Sequence, residues 1–196
     1  MDSPNFIDPY LIPGTAVLRN LVGAKTPEEL AAAEADLSFA RATQLLDDPV
    51  PATNDLAELK AIHFHLFQDL FEWAGQTRRV DVRKDVPGAE FFLPWGFTET
   101  ASINCFEELA SENHLKGLAR AEFVERLAYH YEKINYIHPF REGTGEHSGS
   151  FGIGLPLKLD GSLIGGQSTE KTITVRHGPA RTTGIWLYLS RCSTRS

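Results

Sequence analysis

The run Tyr136-Ile137-His138-Pro139-Phe140-Arg141-Glu142-Gly143 packs more usable chemistry into one corner than any other stretch of the chain. An imidazole titrates near neutrality, so His138 can take a proton. Pro139 stops a preceding helix, and Phe140 can hold the corner against a core. Glu142 follows at a spacing that suits a metal, and its carboxylate is the donor type a hard cation selects. Gly143 lets the backbone turn, so that a following helix can aim its free N–H groups at an anion. A proton acceptor, a carboxylate suited to a cation and a turn suited to an anion thus meet in one corner.

These residues must be positioned by the elements before them. Asp8-Pro9-Tyr10 to Pro13-Gly14 reads as an irregular lead-in. Thr26-Pro27-Glu28-Glu29 signals a helix start, with threonine as N-cap, proline first and glutamate three residues after the cap. That helix should run to about Leu46, before the break at Asp47-Asp48-Pro49 to Pro51. Asn54 or Asp55 caps a second helix carrying Leu56, Leu59, Ile62, Leu66, Leu70 and Trp73, with Gly75 as its C-cap. Arg79 to Arg83 alternates polar and β-branched residues, Val86-Pro87-Gly88 turns, and Glu90 to Leu93 can return, which predicts a short hairpin. Helices over about 97–113 and 119–136 follow, the last with Phe123, Leu127 and Ile134 inward, delivering His138 to the corner.

At 196 residues the chain fits one domain with a proper core. A net charge of −7 provides no clustered positive charge, so neither nucleic acid nor an anionic membrane is expected as a partner. No apolar run reaches a membrane span, and residues 1–20 lack a secretory pattern, so the expected location is cytoplasmic. Cys105 and Cys192 read as unpaired thiols. His63 and His65, two apart on a helix, face different sides and read as packing or surface residues. His130, His138 and His147 lack the convergent spacing zinc requires.

His-Pro-Phe-Arg-Glu-Gly resembles the signature of the Fic family, enzymes that transfer AMP from ATP to a hydroxyl side chain of a target protein. The family pattern is His-Pro-Phe-x-Asp/Glu-Gly-Asn-Gly/Lys-Arg, with a second arginine three residues later, and Leu70 to Val82 is similar too. The resemblance implies a mainly α fold: a Fic-type helical bundle with a short β-hairpin flap that lies over the active site and holds the target's backbone as an added strand. It implies His138 as catalytic base, Glu142 as ligand of Mg2+, and Phe140, Arg141, Gly143, Thr144 and Gly145 around the ATP phosphates. The partner is then a hydroxyl-bearing target protein. The family's inhibitory pattern, Ser/Thr-x-x-x-Glu-Gly/Asn, is absent from the sequence, which implies restraint by a separate antitoxin protein, as in a toxin-antitoxin pair.

The match stops after Gly143. Thr144 stands where asparagine is expected, Gly145 fits, and Glu146 and Gly149 replace the two arginines. A carboxylate at 146 repels a triphosphate where a guanidinium would attract it. Composition changes at the same place: up to Glu146 there are 24 acidic and 13 basic residues, and after it 2 and 6, in a tail rich in Gly, Ser and Thr. Residues 1–143 therefore read as a Fic-like core and 144–196 as an atypical tail. Reverse translation connects the two facts. One adenine inserted before the Thr144 codon allows AAC GGG AGA ACA CAG CGG, which encodes Asn-Gly-Arg-Thr-Gln-Arg and restores the motif. The tail then reads as out-of-frame translation, and the chain as an impaired AMP transferase. The alternative is a catalytically dead Fic-fold protein that acts only by binding a target or antitoxin.

Overall fold

The computed structural model describes residues 8–83 and 88–141, together with the backbone of 173–177 and 181–185. Four helices carry the first part: α1 (Pro27–Asp47), α2 (Leu56–Phe67), α3 (Thr98–Ser111) and α4 (Arg120–Ile137). Two strands, β1 (Ile173–His177) and β2 (Arg181–Ile185), pair antiparallel with Val175 opposite Thr183.

The helix starts follow local chemistry. Thr26 accepts from the Glu29 amide while the Glu29 carboxylate reaches back to the Thr26 amide, so the expected capping box is formed. Of the two candidates for the second cap, Asp55 serves: its side chain accepts from the Glu58 N–H. Asn54, in a left-handed conformation, donates its amide to Glu58 instead.

α2 ends at Phe67, earlier than the expected run through Trp73 to a Gly75 cap. Beyond it Leu70 donates to Phe67 and Ala74 to Phe71, three residues back rather than four, so the helical ladder gives way to tight turns, and the Leu70 carbonyl accepts from Leu21 of the lead-in at 2.8 Å. Phe67, Leu70, Phe71, Trp73 and Ala74 nevertheless all stay buried. α2 thereby serves two clusters. Leu56 and Leu59 pack with Cys105, Phe106 and Leu109 of α3 and with Phe123, Leu127, Tyr131, Ile134 and Ile137 of α4. Leu66 and Phe67 pack with Leu30 and Leu45 of α1 and with Tyr10 and Val17 of the lead-in.

Between α3 and α4, Asn113, His114 and Leu115 adopt φ of 54°, 52° and 59° in succession. A left-handed run costs roughly 1–2 kcal/mol per residue in an L-chain. Complete burial of Leu115 in the core offsets that strain. Across the same end, Arg126 and His130 of α4 meet Glu112, whose carboxyl is held down at about 2, chiefly by its hydrogen bond to Arg126. A hydrogen bond from Lys133 likewise lowers the Glu108 carboxyl below the usual glutamate range.

Candidate active site

α4 closes on His138. The following proline disfavours a right-handed conformation, and histidine is among the residues that tolerate a left-handed one. His138 accordingly sits at φ 49° and ψ 64°, and its N–H donates to the Ile134 carbonyl at 2.9 Å. The ring is largely buried and stacked flat on Phe92, with centroids 3.9 Å apart and planes 9° from parallel. Phe92 comes from the return leg of the expected hairpin, which thus lies directly over the histidine.

That hairpin is narrower than two full strands. Arg83 bridges Phe91 antiparallel and Phe92 donates to Val82 at 3.0 Å, with the turn at 84–87 outside the described residues. Further ladder bonds are replaced by others. Leu93 donates to the Tyr136 carbonyl at 3.1 Å, and Trp95 to Asp81 Oδ1 at 2.8 Å. The hairpin is stitched to the end of α4 rather than only to itself.

Arg78 completes the stitching. Its side chain is wholly buried, yet its nearest carboxylate, Asp81, is half exposed and 3.9 Å away. In place of a close counterion it serves carbonyls: Nε donates to His138 at 2.7 Å, Nη1 to Val80 at 2.6 Å, and Nη2 to Ile137 at 3.2 Å and to Leu93. Its own amide donates to Pro139 at 2.8 Å. The last carbonyls of a helix have no partner in their own helix and carry its negative end. A guanidinium with donors fanned in one plane suits that position better than an ammonium. Burial pushes its pKa down from the ordinary arginine value, but arginine keeps its charge.

Phe140, expected to anchor the corner, is fully buried and stacks on the His63 ring at 3.9 Å and 20°. His63 in turn accepts at Nδ1 from the Gly75 amide at 2.9 Å. It is a packing residue, as its position on α2 suggests, and it supports the corner from beneath. His65 lies elsewhere, with Nε2 3.1 Å from the Arg41 carbonyl. Arg141 pairs with Asp8 at 2.8 Å and lies over the Tyr10 ring, and the Tyr10 hydroxyl accepts from the Arg79 amide. The lead-in therefore clasps the far side of the corner. Glu142, Gly143, Thr144 and Gly145 lie outside the described residues, so the structure brings together His138, Phe140 and Arg141 of the proposed set.

Sequence reasoning missed Arg78, Asp8 and the importance of His63. His63 carried a signal, since it falls four after Leu59 and three and four before Leu66 and Phe67, on the apolar face of α2. Asp8 and Arg78 carried none, because their partners are remote in sequence.

This helical arrangement, whose last described helix ends on a buried histidine beneath a hairpin, is similar to solved Fic domains. Residues 53–147 match the Fic/DOC family. The chain is 41% identical over 138 residues to a probable protein adenylyltransferase Fic of Salmonella typhimurium, covering 70% of this chain and 66% of that one. It is 38% identical over 139 residues to the probable protein adenylyltransferase y4lH of Sinorhizobium fredii, covering 70% and 69%. Among solved structures, the Bartonella tribocorum effector BepC with bound AMPPNP matches with a TM-score of 0.62 at 31% identity, covering 71% and 72%. The chain belongs to the Fic/DOC family, and it spans just under two thirds of the length of its Salmonella relative.

Proposed function

We propose that this chain carries the fold of a protein adenylyltransferase, moving AMP from ATP to a hydroxyl side chain of a target protein, with activity impaired by its sequence after Gly143. The carrying observation is His138, fixed at the end of α4 by its own capping bond and by Arg78, in a chain similar to relatives named for this activity. His138 would take the proton from the attacking hydroxyl. The AMPPNP bound in the BepC structure supports a nucleotide as a ligand of this fold. Arg141, Gly143, Thr144 and Gly145 would line its phosphates, and Phe140 would hold their loop to the core.

The donor chemistry fits magnesium. Glu142 offers a hard carboxylate oxygen, and no group of three His, Cys, Asp or Glu side chains among the described residues competes for the ion. When bound, the ion would neutralise charge on the phosphates. Binding of the triphosphate is nevertheless weak in this reading, because Glu146 and Gly149 stand where two guanidiniums would be. At about 2 kcal/mol for each charged contact, transfer falls roughly a thousandfold or more. The reading divides the chain into a core, 1–143, and an out-of-frame tail, 144–196, and places it in the cytoplasm, restrained by a separate antitoxin.

Insertion of one adenine before codon 144 tests this. The repaired chain should transfer labelled AMP to protein, and His138→Ala in that background should abolish transfer. A folded, silent repaired chain would sink the adenylyltransferase reading, whereas strong transfer by the unrepaired chain would sink the proposed impairment. In the latter case the missing arginines are dispensable.

A further inference from the structure

We propose that Arg78 is a positioning residue that couples the hairpin to His138, so that a displacement of either hairpin leg is transmitted to the histidine through one buried guanidinium. The inference rests on the reading of His138 as the base, but its geometry does not depend on catalysis. One side chain donates to Val80 and Leu93, one on each leg of the hairpin, and to Ile137 and His138 at the end of α4.

Four features distinguish this from ordinary packing. A fully buried cation lacking a close carboxylate is expensive to desolvate, so its hydrogen bonds must all be made for the fold to tolerate it. Those bonds come from a rigid planar group, so the four carbonyls cannot move independently of one another. The hairpin also supplies Phe92, flat against the His138 ring, so the hairpin touches both the ring and the main chain of the same residue. A left-handed histidine is a strained conformation that surrounding bonds must hold. Arg78 supplies that hold from the hairpin side.

Arg78→Lys in the full chain keeps the charge and removes the planar fork. With histidine-labelled protein, two readouts are compared with the parent: the His138 ring resonances across a pH titration, and amide exchange at Leu93, which donates to Tyr136. Loss of a charged hydrogen bond should accelerate exchange at Leu93 about tenfold or more. The His138 resonances and titration midpoint should shift in the same variant, while the amide of Asp48, at the end of α1, exchanges as before. Asp81→Ala provides a second route should Arg78→Lys fail to fold, because Asp81 is half exposed and ties the outgoing leg to Trp95, just beyond the return leg. Faster exchange at Leu93 with unchanged His138 resonances, in whichever variant folds, overturns the coupling. Loss of the base assignment would be seen separately, as AMP transfer by the repaired chain that survives His138→Ala.

Discussion

At the scale of single residues, the corner depends on how closely the backbone can approach itself. Gly75 has φ of 76°, and a Cβ there would meet Phe64 Cβ at 2.8 Å and the Lys60 carbonyl at 2.9 Å. Gly14 has φ of 78° and nothing within 4 Å. Gly14→Ala should therefore cost about 1 kcal/mol, the left-handed penalty alone. Gly75→Ala adds backbone overlap and should cost about 3 kcal/mol or more. It should also displace the Gly75 amide from His63 and so loosen Phe140. Urea unfolding of the two variants measures the difference; equal costs would show that the turn at Gly75 relaxes freely.

At the scale of elements, the α3–α4 connection stores strain that the capping of α1 does not. His114 sits at φ 52° within the left-handed run, and only Leu115 of that run is buried. Replacing His114 by glycine removes a penalty of roughly 1–2 kcal/mol and adds about 0.5–1 kcal/mol of unfolded-chain entropy. A net gain of about 0.5–1 kcal/mol is expected, seen as a higher denaturation midpoint at unchanged m-value. Destabilisation would mean that the His114 side chain contributes more than its conformation costs.

At the scale of the whole molecule, α3 and α4 are held together at one end by charge as well as by core. The Glu112 carboxyl lies at about 2 in the folded chain against 4.5 for an ordinary glutamate, mainly through its hydrogen bond to Arg126 and also through His130. A depressed carboxyl contributes stability that is fully present above pH 4.5 and is lost as the pH falls toward 2. With a quarter of the side chain exposed, the contribution is on the order of 2 kcal/mol after screening. Glu112→Gln should lose that amount at pH 7 and show a shallower fall in stability on acidification. Asp69, lowered by Arg41, and Glu108 keep part of the slope in the variant. Equal acid slopes for parent and variant would mean the carboxyl is not held down.

Much of this protein was determined locally and is readable along the chain. Thr26 with Glu29, Asp55, and the apolar faces of α1 to α4 specify helices because caps and periodicity act within a few residues. His138-Pro139 by itself requires a helix to stop and a histidine to turn, and the residues around it suffice to indicate the family. The tertiary structure decided what acts at a distance. After α2 ends at Phe67 the chain turns tightly, and the Leu70 carbonyl is met by Leu21, far upstream. Among the described residues the hairpin keeps one bridge, and the end of α4 and Arg78 take hydrogen bonds of its legs. Asp8 meets Arg141 across 133 positions, and no periodicity encodes such a contact. Helix caps are satisfied within one turn and leave a pattern, whereas the partners of a buried guanidinium are chosen by the fold.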